Sequence, residues 1–196
     1  LRSSEGRYAV PTVLVDREIA ARNVASVASD NEGGARAAVA TLIRRGARRI
    51  ALLGGTPGLS TSRYRLAGYR AALREAGVRY DRRLVLSADY LPATGRRLAH
   101  RLLSSNLAVD AVFTSAYILF EGLLEELRSR RLARSRWPLL ATFDDHPLLA
   151  HLPVPVISVR QDTDALAAAA FGLIEDALRG QGRVEHRRVA TELLLR

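Results

Sequence analysis

A short apolar run, a glycine-broken loop and an amphipathic helix follow one another at residues 50–77, and that order constrains the chain more than any other stretch. Residues 50–53, Ile-Ala-Leu-Leu, are apolar at every position. A strand of that kind is buried on both faces, as inside a parallel sheet covered by helices. Gly54, Gly55, Pro57 and Gly58 break the run. Ser60 or Ser62 then caps a helix with an inward stripe of Leu66, Tyr69, Leu73 and Ala76. Gly77 ends that helix. The loop between a strand's carboxyl end and a helix N-terminus is where open α/β sheets bind ligands. Unpaired backbone N–H groups and the helix dipole favour an anion there. The serines add hydroxyls and Arg65 adds a guanidinium in the first turn, a set that fits a sugar hydroxyl or a phosphate. The same residues also read as a helix cap beside an exposed arginine.

The rest of the chain repeats this alternation. Strands are expected at residues 12–15, 84–86, 109–113, 139–143, 156–159 and 189–195. Helices are expected between them. One is capped by Asp30 or Asn31 and closed by Gly46, and one is capped by Thr94. One runs from 117 to 130 with the stripe Leu119, Phe120, Leu123, Leu124 and Leu127, and one is capped by Asp162 or Thr163 and closed by Gly180. Residues 180–188 read as a polar turn. Repeated β-then-α order implies an α/β fold with a mostly parallel sheet and right-handed crossovers.

With 196 residues, 48% of them hydrophobic, the chain can form one large domain or two small lobes. No apolar run reaches the roughly 18–20 residues that span a bilayer. The polar stretch from Leu1 to Arg7 has no secretory pattern. The chain contains no methionine, even at its start, so a piece of a longer protein is expected. Without cysteine there is no thiolate nucleophile, disulfide or Cys-based zinc site. The formal charge is +10 and every basic residue is arginine. The arginines are scattered in doublets such as Arg44-Arg45, Arg82-Arg83, Arg130-Arg131 and Arg187-Arg188, not gathered into a DNA-binding arm. The lack of lysine fits a GC-rich coding bias.

Three further groups could carry chemistry. Asp16-Arg17 follows the first strand; Asp can bind paired sugar hydroxyls and Arg a phosphate, though a surface ion pair is the plainer reading. Asp144-Asp145 ends a strand beside His146. Neighbours on extended backbone point to opposite faces, so one carboxylate at most reaches a pocket. It could bind a sugar, cap a turn or take part in acid–base chemistry. His100, His146, His151 and His186 lack the spacing of a helical zinc site, and no metal or cofactor is expected. The loop at 54–62 is neither a Walker A motif nor a dinucleotide fingerprint. Trp137 before Pro138 reads as a packed loop residue, with stacking on a sugar as the other possibility.

Several of these segments resemble LacI/GalR-type transcription regulators. Pro57-x-Leu59-Ser60-x-Ser62-x-x-Arg65-x-x-Gly68-Tyr69 looks like the family's effector-binding segment. The stretches 10–17, 27–35, 109–115, 141–145 and 156–162 match in order and spacing, so the resemblance runs from Ala9 to Arg196. Asp16-Arg17, the Leu59-Ser60-x-Ser62-x-x-Arg65 block and the stretch 113–119 look most like the fructose-repressor subfamily. Three positions depart from the pattern: many sugar-binding relatives carry Asn-Asp where this chain has Ala116-Tyr117, and the fructose repressors carry Gly at Asp144.

The resemblance implies a periplasmic-binding-protein-like (type I), two-lobed α/β fold, here mainly the C-terminal lobe. Residues 1–28 and 162–185 would be a remnant of the N-terminal sensor subdomain; residues 29–161 and 186–196 would be the C-terminal one. It implies an effector site of Asp16, Arg17, Ser60, Ser62, Arg65, Tyr117 and Asp144, with a phosphorylated fructose held through Arg17 and Arg65. The implied protein is a non-enzymatic, cytoplasmic regulator that meets operator DNA only through a missing N-terminal head. It would form a homodimer through the stripe at 117–130 with Leu148, Leu149 and Leu152. A periplasmic sugar-binding protein of a transporter shares that fold and is the alternative. A phosphosugar enzyme is a third, disfavoured because no nucleophile motif accompanies the carboxylates.

Overall fold

The computed structural model describes residues 10–19, 23–131, 133–181 and 183–196. Ala9 and the polar start of the chain lie outside them. The chain divides into two compact units, the first from 1–31 and 161–191 and the second from 32–160 and 192–196.

The first unit holds three parallel strands in the order β1-β2-β8, where β1 is Thr12–Val15, β2 is Val24–Ser29 and β8 is His186–Val189. Helix α5, Thr163–Leu178, is capped by Asp162, whose carboxylate accepts the Ala165 N–H at 2.9 Å. Ala25, Val27, Leu166 and Leu173 make a small core. Phe171 and Leu178 on α5 stay 70% and 72% exposed, so this helix covers only part of its own apolar surface.

The second unit holds a six-stranded sheet in the order β4-β3-β5-β6-β7-β9. Here β3 is Ile50–Gly54, β4 is Val85–Ser87 and β5 is Ala111–Thr114. Strand β6 is Leu139–Phe143, β7 is Val156–Gln161 and β9 is Thr191–Leu195. The strands β4 to β7 are parallel. At the β9 edge Val156 and Arg196 exchange both backbone hydrogen bonds, at 2.9 and 2.8 Å, the mark of an antiparallel pair. Helices α1 (Asn31–Arg44) and α2 (Ser60–Glu75) join one core cluster, and α3 (Pro92–Leu103) and α4 (Tyr117–Ser129) join the other.

Alternation along the strands feeds the two layers. Ile50 and Leu52 enter one core while Ala51 and Leu53 enter the other, and Phe113 and Val112 divide in the same way. This is the sheet covered on both faces that residues 50–53 demand. Burying each Leu or Phe is worth roughly 1.5–3 kcal/mol.

Several expectations need correction. Helix α2 starts at Ser60 behind Leu59, and neither serine is a cap. Helix α3 begins at Pro92 behind Leu91, so Thr94 lies within its first turn, bonded to the Asp89 carboxylate. Residues 24–29 are a fully buried strand not among the expected ones, because Val-Ala-Ser-Val-Ala-Ser shows no alternation. The expected strand 84–86 begins with a 3-10 turn, Arg82–Leu84. The expected strand 189–195 is two strands broken at Ala190: β8 joins the first unit and β9 the second. The boundary at 186 therefore moves to 192. Finally, Leu119, Phe120, Leu123 and Leu127 of the α4 stripe are fully buried within their own unit, while Leu124, 9% exposed, also borders a surface groove with Tyr117 and Glu121. Of the three leucines paired with the stripe, Leu148 is exposed and Leu149 is buried.

Candidate functional site

The carboxyl ends of β3, β5 and β6 carry the residues singled out from sequence in the second unit. Ser60 and Thr61 open α2 and are buried. Arg65, one turn on, is only 4% exposed, which overturns the reading of an exposed arginine. Its guanidinium donates to the Ser115 carbonyl at 2.6 Å and lies 3.7 Å from the centre of the Phe143 ring. A desolvated cation on an aromatic face is worth about 2 kcal/mol.

Ser115 ties this corner together. Its N–H donates to the Leu53 carbonyl at 2.9 Å, and its hydroxyl accepts the Gly55 N–H at 3.0 Å. The glycine loop is thereby clamped to the end of β5. The absence of a side chain at Gly55 lets Tyr90 pack over the loop, since a Cβ there would fall where the ring lies. The Tyr90 hydroxyl bonds Ser62 Oγ at 2.8 Å. Ser115 and Tyr90 are the members that sequence reasoning missed. Tyr90 lies in an irregular loop, and only its proximity to Gly55 reveals it.

Asp144 and Asp145 separate as adjacent residues should. Asp145 accepts Ser158 Oγ at 2.7 Å and two N–H groups of Arg196 at 2.9 and 2.5 Å. The hydrogen bonds from Arg196, helped by Ser158, hold its pKa below the usual carboxylate value against the opposing effect of burial. Asp144 adopts a left-handed φ of 71° and accepts the Tyr117 N–H at 3.4 Å, at the start of α4. The Tyr117 ring stacks on His146 at 4.5 Å. Burial pushes the Tyr117 hydroxyl pKa up, and the nearby Glu121 adds to the shift.

Asp16 and Arg17 belong to the first unit. Asp16 turns the chain with φ 57°, its N–H bonded to the Val27 carbonyl at 2.8 Å, and Arg17 is exposed. Asp16 borders a largely apolar cavity of about 590 Å³ with Val13, Gln161, Thr163, Leu166 and Phe171. Gln161 accepts the Ser29 hydroxyl at 2.6 Å. The seven expected site residues thus fall into two groups, with Ser60, Ser62, Arg65, Tyr117 and Asp144 gathered on the second unit.

Three histidines have partners of their own. His186 bonds Ser26, His100 bonds Glu126 and His146 stacks on Tyr117. Trp137 packs against the α3–α4 core. Among the described residues no group of three His, Asp or Glu could hold a metal ion, and no helix is long and apolar enough to cross a membrane.

Comparison with known proteins agrees with this architecture. The periplasmic binding protein-like domain family matches residues 39–196. The HTH-type transcriptional regulator CelR of Thermobifida fusca is 33% identical over 158 residues, 81% of this chain and 46% of the relative. The sucrose operon repressor of Klebsiella pneumoniae is 31% identical over 173 residues, 88% and 52% respectively. The solved Cra transcriptional dual regulator of Pseudomonas putida, in complex with fructose 1-phosphate, superposes with a TM-score of 0.85 at 30% identity. That match covers 95% of this chain and 68% of that one. The chain spans about half the length of the curated relatives it matches.

Proposed function

The chain belongs to the periplasmic-binding-protein-like sensor domains of LacI-family transcription regulators, and we propose that it senses a sugar effector for such a regulator. The observation that carries the reading is Arg65: a guanidinium buried at the strand ends against Ser115 and Phe143, on the same helix as Ser60 and as Ser62, whose hydroxyl bonds Tyr90. Asp144, next to Tyr117, adds a carboxylate suited to sugar hydroxyls. Asp16 and Arg17 enter the proposal on the family resemblance alone.

Within that reading we propose a phosphorylated fructose as the effector. The Cra complex with fructose 1-phosphate supports it. The solved CelR–cellobiose complex, together with the higher identity to CelR and to a sucrose operon repressor than the 27% to a fructose operon regulatory protein of Vibrio cholerae, makes neutral disaccharides the competing ligands. Calorimetric titration with fructose 1-phosphate, fructose and sucrose decides between them. Saturable binding of the phosphosugar is expected, weakened by about ten- to a hundredfold in Ser62→Ala combined with Tyr90→Phe. Tighter binding of unphosphorylated fructose or of sucrose would overturn the ligand, and no binding of any of the three would overturn the sensing role.

The kinship with regulators favours this reading over a transporter's binding protein and over a phosphosugar enzyme. It also supports a cytoplasmic, non-catalytic protein that meets operator DNA through a separate N-terminal head. A homodimer is proposed through the groove of Tyr117, Glu121, Leu124, Leu148, His151 and Leu152, where Leu148 is 58% exposed.

A further inference from the structure

We infer that the groove between edge strand β4 and helix α3 is a second binding site, one for a small organic anion. The groove encloses about 480 Å³, within the range of small-molecule sites. Its apolar lining comes from Val85 and Leu86 on the strand, Leu98 and Leu102 on the helix, and Leu107 beyond it. Arg82, Arg83 and Arg101 line it together with the hydroxyl-bearing Ser87 and Ser105.

Two of the three guanidinium charges in the groove are uncompensated. Arg83 is held by Asp81 through a bidentate pair, at 3.0 and 2.7 Å. Arg82 and Arg101 make no side-chain hydrogen bond or ion pair to any described residue. No carboxylate lines the groove. The negative end of the α3 dipole would repel an anion, but Arg130 already caps it, donating to the Leu103 carbonyl at 2.9 Å and to Ser104 Oγ. The loops entering β3, β4 and β6 add Arg45, Arg79 and Arg136, which are exposed and likewise without a partner. Their summed field draws anions to this end of the sheet. Two free guanidinium groups over a partly apolar wall fit a phosphate or carboxylate borne on an apolar body. None of the proposed effector residues lines the groove.

The test uses 1-naphthyl phosphate as the probe, with 1-naphthol and inorganic phosphate as its two halves, in calorimetry on the whole chain. The full probe is expected to bind at least about tenfold tighter than either half. Arg82→Ala with Arg101→Ala should weaken it by about tenfold or more, as loss of charge-assisted bonds requires. Arg74→Ala with Arg128→Ala removes the same net charge outside the groove and should leave the affinity unchanged. Circular dichroism checks that both variants fold, and fructose 1-phosphate should not displace the probe. No saturation at millimolar probe, binding no tighter than inorganic phosphate, or equal losses in the two double variants would overturn the inference. Duplex DNA bound through Arg82 and Arg101, with no saturation by the probe, would also overturn it, in favour of a polyanion surface.

Discussion

Arg65 and Phe143 form a buried cation–π pair, with 3.7 Å between the guanidinium carbon and the ring centre. The pair joins the second turn of α2 to the end of β6, two strands away across the sheet from the β3 end that leads into the helix. Arg65 therefore supports the corner it is proposed to serve. Arg65→Ala should cost about 2–4 kcal/mol in urea unfolding, from the lost charged hydrogen bond to Ser115 and the lost ring contact. A cost within about 0.5 kcal/mol, as at ordinary surface positions, would contradict its burial.

Three glycine substitutions should separate by what a new Cβ meets. At Gly122 it would overlap the backbone of Pro92 and Arg96, where α3 and α4 cross closely. At Gly55 it meets the Tyr90 side chain, which can swing away. At Gly172 nothing lies within 4 Å. Gly122→Ala should cost about 3 kcal/mol or more and Gly55→Ala about 1 kcal/mol, while Gly172→Ala should gain about 0.5–1 kcal/mol. Thermal melts of the three variants check the order.

Acid should unlock the β9 edge. The pKa of Asp145 is lowered in the folded state by the hydrogen bonds from Arg196. Its contribution is therefore complete above the unfolded value of about 4 and is lost as pH falls through the lower folded value. Asp145→Asn should be less stable than the parent at pH 7, and the gap should narrow steadily below about pH 4. A gap that stays constant with pH would show that the charge is not what matters.

Glu126 and Arg130 should respond unequally. Glu126, on the inner side of α4, is 4% exposed. Burial raises its pKa, but the hydrogen bonds from Arg130 and His100 outweigh that and hold it low. Arg130→Ala leaves a buried carboxylate without its main partner and uncaps α3, at a cost of about 2–4 kcal/mol. Glu126→Gln keeps the shape and removes the charge, costing about 1 kcal/mol. Equal losses in denaturant titrations would refute this account.

The elements themselves were legible in the sequence, because their signals are local. The apolar run at 50–53, the stripe of α4 and Asp162 at the start of α5 each declare an element within a few residues. The β-then-α order fixed a parallel sheet, and the Ser-x-Ser-x-x-Arg block pointed to the loop after β3. What escaped depends on partners distant along the chain. Gly55 and Ser115 bond across 60 residues, and Ser62 and Tyr90 across 28. Residues 189–195 look like one strand until β8 pairs with β2 in one unit and Arg196 pairs with Val156 in the other. The α4 stripe shows that a face is apolar but not what covers it; the tertiary structure decides that Leu119, Phe120, Leu123 and Leu127 pack within their own unit while Leu124 also borders a surface groove. Local periodicity sets which backbone each segment prefers. Only packing decides which side chains meet, because those contacts close long loops that no short window of sequence contains.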